Sequence, residues 1–362
     1  DIYMQGPDGK YANFNNMQEG TYRGLYSQDG KAEAGPDAPL HALLESKVPG
    51  GDPLLLWAAD HGGAKYYWKG TSPFWFVWRR ETPPISQRPP LDPAVLFRGN
   101  GHAIFRSDRL WLAFNGGWTS NRGHSNRDLG SFVFVVDGER MVHDPGYGKT
   151  SAGEHSTVVV NGRNQESNVR GRYLRFGSEE GFRYLACDLS QVYGPGVLER
   201  FVRHIVMVDG RYVVILDELA APEPGQFEWR LQTRREVEVD PGAPRAVVHA
   251  ERSDLHVIAA GPRGAIADTD RASLPFVRFR PPAPVGETAI VTVLFPTAAG
   301  GPAPEVALDT TLGVLTVRDA EGNADELRFD PAGLVSVNGR PAAKIGPPSG
   351  RAFTVHRKPA AQ

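Results

Sequence analysis

Apolar positions follow a helical period only near the start of the chain. In DAPLHALLES, Leu40, Leu43 and Leu44 recur behind Asp37 as an N-cap. In GDPLLLWAADHGG, Asp52 caps, Pro53 sits in the first turn and a glycine pair stops the pattern. Two short helices cannot close a core, so residues 38–62 are expected to be the last turns of a helical domain that starts before this chain. Residues 66–78, YYWKGTSPFWFVW, are strongly aromatic, which suits either packing on a neighbouring domain or a sugar-stacking wall. ETPPISQRPPLDP over 81–93 then ends helical structure, because proline lacks the N–H donor and biases its predecessor to extended geometry. The expected domains are therefore 1–90 and 91–362.

Beyond residue 93 the pattern becomes short β-branched and aromatic runs between turn signals: HAIFRS, LWLAF, SFVFVV, STVVV, YVVILDEL, EWRLQT, HVIAA and AIVTVLF. Asp-Gly at 137–138 and 209–210, and Asn-Gly at 161–162 and 338–339, are strong short hairpin signals. FVFVVDGERMVH and RHIVMVDGRYVVILDE are predicted hairpins. The fold expected is mainly β, a large antiparallel sandwich of several stacked sheets.

Composition narrows the chemistry. The 362 residues hold 40 Lys+Arg against 42 Asp+Glu, so no global basic field recruits nucleic acid, and an anionic partner has to be met by a local cluster. The single cysteine, Cys187, rules out an intrachain disulfide and a thiolate metal site; within YLACDL it is expected to be buried and inert. No run approaches the length of a membrane span, and DIYMQGPDGKY, with its turn-forming GPDGKY, lacks the basic start and apolar run of a signal peptide. With no initiator Met, the chain is expected to be a piece of a larger product.

The informative stretch is GHSNRDLGSFVFVVDGERMVHDPG, residues 123–146, where ionisable groups flank a core strand. His124, Asn126 and Asp128 alternate with Ser125 and Arg127, so an extended backbone puts the first three on one side. His143, Asp144 and Tyr147 follow the return strand, and Glu154 and His155 precede the next one. Strand ends can gather His124, Asn126, Asp144 and His155. Such a set suits zinc, acid–base chemistry or plain satisfaction of turn backbone. An acid pair, Asp128 with Glu154, is the nearby candidate for glycoside hydrolysis.

This block, continued by HSTVVVNGRNQ, resembles the start of the β-sandwich domain of heparinase II/III-type polysaccharide lyases, whose pattern is approximately Gly-His-x-His-x-Asp-x-x-Ser-Phe, then Asp-Pro-Gly, then His-Asn-Thr-Val-x-Val-(Asp/Asn)-Gly. LERFVRHIVMVDGRYVVILDEL looks like the family's next hairpin, and PDGKYANFNN resembles a segment late in its helical toroid. The resemblance implies a sandwich preceded by the remnant of an (α/α) toroid. It implies cleavage of a uronic-acid polysaccharide by β-elimination, in a periplasmic or secreted setting, with no nucleic-acid or membrane partner. An N-terminal chain would complete the toroid.

By the same resemblance, His124 matches the position that acts as base or carboxylate partner. Asn15 and Asn16 are candidate donors to the substrate carboxyl group, and Tyr22 and Tyr26 the tyrosines considered as a local acid. Arg122, Arg127, Arg163, Arg170 and Arg172 lie near in sequence and suit an anionic glycan. The family's metal position falls on Asn126, Asp144 and His155. Asn126 replaces a histidine and Ser156 replaces the Asn of His-Asn-Thr, so any zinc is expected to be structural and weakly bound. A non-catalytic glycan-binding sandwich is the main alternative.

Overall fold

The computed structural model describes residues 6–8, 12, 14, 90–119, 125–146, 148–348 and, as backbone, 353–356. The helical pattern over 38–62, the aromatic run 66–78 and the proline-rich stretch up to 89 lie outside the described residues. The chain divides into two compact units, residues 1–13 with 17–91 and residues 14–16 with 92–362. In the first, Pro7 and Asp8 form the turn expected of GPDGKY.

The second unit is built of four antiparallel sheets. One has six strands: β1 (Ala94–Phe97), β2 (His102–Arg106), β3 (Leu110–Asn115), β4 (Phe132–Val136) and β5 (Glu139–Val142) in chain order, with Phe353–His356 outside β1. The short β6 (Val158–Val160) starts a four-stranded sheet with Phe227–Gln232, Pro275–Arg280 and Ile266–Arg271. The largest sheet has eight strands, including β7 (Arg172–Glu179), β8 (Phe182–Asp188), β9 (Arg200–Val208), β10 (Tyr212–Gly225) and β11 (Phe227–Gln232)'s successors Glu236–Val239, Arg245–His249, Ser253–Gly261 and Val285–Ala298; β11 itself belongs to the four-stranded sheet. Residues 305–341 form a five-stranded meander.

The eight-stranded sheet is the middle layer. Phe201, Ile205, Met207, Val213 and Ile215 point into a core shared with Phe114, Phe132 and Phe134 of the six-stranded sheet and Trp229 of the four-stranded one. The alternate residues Val206, Val208, Tyr212 and Val214 pack on Leu315, Val317, Leu327 and Val337 of the meander. A strand buried on both faces cannot afford polar positions at period two. That is why HIVMV and YVVIL read as continuous apolar runs.

Both predicted hairpins form, β4 with β5 and β9 with β10. Asp137 and Gly138 (φ 47° and 80°) and Asp209 and Gly210 (φ 44° and 66°) take the left-handed pair that matches strand twist. Asn338–Gly339 does the same between residues 333–337 and 340–341. Asn161–Gly162 turns in this way (φ 51° and 66°) but makes no hairpin. Its strand β6 pairs with β11 instead, and the Asn161 side chain accepts from the Gln226 amide at 2.7 Å. The turn therefore launches the loop 163–171. Cys187 is buried as expected, and burial holds its thiol well above the ordinary range.

Candidate functional site

The site grows from three chain ends that the sheets bring together. After β3 the chain re-enters at 125–131, which forms no regular strand. It keeps the expected alternation all the same: Asn126 and Asp128 are buried, Ser125 and Arg127 half-buried. The second end follows β5 through His143 and Asp144. The third is a 3₁₀ turn, Ala152–Glu154, closed by a capping box in which Ser151 accepts from the Gly153 amide and Glu154 from the Ser151 amide. This turn delivers His155 to the mouth of β6.

Asp128, Asp144 and His155 converge there, fully buried, with one ligand atom from each lying within 4.8 Å of the others. His155 Nδ1 stands 2.9 Å from Asp144 Oδ2, and Nε2 donates to the Lys149 carbonyl at 3.1 Å. Asp144 Oδ1 also accepts from the Gly146 amide at 2.9 Å, and Asp128 Oδ1 from Asn115 Nδ2 at 3.1 Å. Burial alone disfavours the imidazolium. The Asp144 charge and hydrogen bond, the Asp128 charge and the Lys149 carbonyl outweigh it, and the His155 pKa is raised to about 9. Near neutral pH the His155 imidazole of the metal-free cluster therefore carries the positive charge, facing the side chains of Asp144 and Asp128.

A polar scaffold fixes these loops. Ser131 Oγ accepts from the Ser156 amide (3.2 Å), and Ser156 Oγ from the Gln232 amide (2.9 Å). Gln165 bonds both backbone groups of Leu129, at 3.0 and 2.9 Å. Beneath them Arg203 of β9 meets its cross-strand partner Asp217 of β10 bidentately, at 2.7 and 2.8 Å, both side chains having 0% exposure. The same guanidinium donates to the carbonyls of Gly130 and Ser156, tying the middle sheet to two of the three chain ends.

Among the candidate residues, Asp144 and His155 meet directly, whereas Asn126 turns its amide to the Gly146 carbonyl at 3.5 Å. The group beside Asp144 and His155 is Asp128, whose place in the 124/126/128 alternation was the available signal. The hydrolase pair is not assembled as a cleft: Asp128 is buried, and Glu154 serves its cap and accepts from Ser273. Arg127 is half-buried and donates to the Ser125 carbonyl at 3.3 Å, and Arg163 is exposed. Arg172 is paired with Asp188 at 2.8 Å. His124, Arg122, Asn15, Asn16, Tyr22, Tyr26 and Tyr147 lie outside the described residues. The sequence analysis did not single out Asn115, Gln165, Arg203 or Asp217; the last three lie inside stretches that carry the resemblance, but nothing local marks their side chains as partners of the site.

The donor set suits a divalent cation in part. Because the Lys149 carbonyl takes the hydrogen on Nε2, Nδ1 faces the carboxylates, the arrangement in which a histidine ligates metal. A metal ion and the His155 proton would compete for that position. Three strong donors, with an amide in place of a second imidazole, fall short of the four that zinc usually takes.

Residues 89–293 match the family model described as heparinase II/III-like, C-terminal. Among curated proteins, none matches the chain. Solved structures similar to it include a mutant of the heparan sulfate lyase from Pedobacter heparinus, at TM-score 0.65 and 14% identity over 90% of this chain and 51% of that one. A heparinase III gene product gives TM-score 0.62 and 16% identity, over 93% of this chain and 50% of that one. The chain thus spans about half the length of these structures, and at such identity they share its fold.

Proposed function

This chain belongs to the heparinase II/III-like C-terminal family, and from that premise we propose that it is the sandwich part of a polysaccharide lyase acting on a uronic-acid-containing anionic polysaccharide. One observation carries the reading beyond family membership. The sequence block bearing the resemblance brings Asp128, Asp144 and His155 into one buried polar cluster, and in the loop that follows β6 the exposed guanidinium of Arg163 has no carboxylate partner among the described residues.

β-Elimination makes three demands: the carboxylate beside the C5 proton must be neutralised, that proton removed, and the departing O4 protonated. In this reading His124 serves as base or carboxylate partner, Asn15 or Asn16 donates to the carboxyl group, and Tyr22 or Tyr26 supplies the leaving-group proton. Arg122, Arg127 and Arg163 grip the anionic chain. The buried cluster does no chemistry; it fixes the segment that leads out of His124. A toroid preceding the sandwich, completed by chain N-terminal to this one, and a periplasmic or secreted location belong to the same proposal. A non-catalytic glycan-binding sandwich is the second reading, favoured by Asn126 in place of a histidine.

The deciding experiment is a panel of acidic polysaccharides given to the complete enzyme, followed by the ultraviolet absorbance of the unsaturated uronate product. Activity on at least one is expected, and His124→Ala should reduce it by at least about 100-fold with little change in melting temperature. Binding with no product from any member favours the second reading. Arg127→Ala and Arg163→Ala should each weaken glycan binding roughly three- to tenfold, and added salt should weaken the wild type in parallel. If all three proteins bind every acidic glycan equally, the polyanion assignment is wrong.

A divalent ion, where bound, would be held by Asp144, His155 and Asp128 as a purely structural group. We expect less than one zinc per chain after purification, removable by EDTA. Elemental analysis showing one chelator-resistant zinc per chain would sink that expectation.

A further inference from the structure

We propose that Trp118 and Arg170 form a rim subsite that binds one acidic pyranose residue of the glycan, with the indole stacked on the sugar's apolar face and the guanidinium on its carboxylate or sulfate. This rests on the polysaccharide reading above and goes beyond it, because no aromatic residue of the sandwich belongs to that reading.

Trp118 is 50% exposed, and among the described residues it is the one aromatic side chain in the exposed class. The other described tryptophans, Trp111 and Trp229, are in the core. Exposure of this kind on a wandering loop would mean little, but Trp118 is held rigidly. It forms an antiparallel bridge with Arg170, closed by Thr119 N–H to Val169 O at 2.8 Å and Gly171 N–H to Gly117 O at 2.9 Å. Bonds from the flanking residues mark the non-hydrogen-bonded type of pair, in which the two side chains stand closest on one face. The ribbons are pressed together tightly enough that a Cβ on Gly171 would lie 2.7 Å from the Gly116 carbonyl oxygen. A backbone fixed this way needs little reordering when the indole meets a ring.

The charge beside it fits the same ligand. Arg170 is exposed, and its guanidinium has no hydrogen-bond or ion-pair partner among the described residues. Elsewhere on the sandwich many exposed arginines are paired, as in Arg109–Asp137, Arg245–Asp240 and Arg328–Glu326, while Arg263 and Arg271 are not, among the described residues. Arg163, on the same loop, is also unpaired among the described residues. A flat apolar ring beside a cation with no internal counter-charge suits an acidic sugar: the hexose ring offers an apolar face, and its charged substituent lies at the edge.

The subsite is physically tied to the cluster. Asn115 accepts from the Gly117 amide at 3.1 Å through Oδ1 and donates to Asp128 through Nδ2. Thr119 Oγ1 donates to the Glu166 carbonyl at 3.0 Å, one residue from the Gln165 that clasps Leu129. Trp118 also lies six residues before His124 in sequence.

The test uses hexasaccharides of heparan sulfate, alginate and polygalacturonate, with cellohexaose as the neutral control, binding to the full chain by calorimetry. Trp118→Ala should weaken the best acidic ligand about tenfold, and Trp118→Phe less, with melting temperatures within a degree or so of wild type. Arg170→Ala should cost roughly three- to tenfold at low salt and little at high salt, and should leave cellohexaose unaffected. Wild-type binding that survives both Trp118→Ala and Arg170→Ala overturns the subsite while the polysaccharide reading stands. No binding of any acidic hexasaccharide by the wild type removes that reading, and the subsite with it.

Discussion

Arg203→Ala should lower unfolding free energy by about 3–5 kcal/mol, the cost of stranding a buried carboxylate whose partner has gone. Asp217 would keep its place in the core with 0% exposure and without its two guanidinium bonds. The carbonyls of Gly130 and Ser156 would lose a donor at the same time. Asp217→Ala should cost a similar amount, because the stranded group is then the cation. The double variant Arg203→Met/Asp217→Leu should recover much of the loss, since apolar residues of similar volume often replace a buried pair at little cost. Urea unfolding of the four proteins measures this. Additive losses would show that the two side chains act independently. The double variant has a second use: glycan binding should stay impaired after stability returns, because the loops carrying Gly130 and Ser156 no longer have an anchor in the middle sheet.

The second large effect is expected at His155. Removing its imidazole leaves Asp128 and Asp144 buried within a few ångströms of each other with no cation between them. In the metal-free protein His155→Ala should therefore destabilise by about 3 kcal/mol, near the lower end for a broken buried pair. Asp144→Asn in the same background should restore part of that by replacing one of the two facing acidic groups with a neutral amide. Unfolding curves recorded with EDTA present separate this from metal loss. If His155→Ala unfolds at the wild-type urea concentration, the cluster does not hold the hairpin end in place. The contrast with His124 is informative, since substitution there should affect turnover and leave stability almost unchanged.

Much of the fold was determined by local sequence. Period-two and continuous apolar runs identify strands, because a strand buried on one face alternates and one buried on both does not. Asp-Gly dipeptides define hairpins through their tolerance of positive φ, which is a property of two residues and needs no partner. Asn161–Gly162 shows the limit: the dipeptide produced its turn, but whether a turn becomes a hairpin depends on which strand claims the preceding residues, and β11 claimed β6. The sequence by itself also marked Asp144 and His155, since one comes just after a strong strand and the other just before one.

Only the tertiary structure brought Asp128 into the cluster, paired Arg203 with Asp217 and placed Trp118 against Arg170. The residues in each of these contacts are separated by fourteen or more positions, as 203 to 217 and 118 to 170, or join through a third group such as Asn115. Burial decides what such residues do. An arginine in FVRHIVMV looks like any polar interruption of a strand until its carboxylate partner is found on the neighbouring strand, where low dielectric makes the pair costly to break. A tryptophan in NGGWTS looks like core until the folded chain leaves half of it in water.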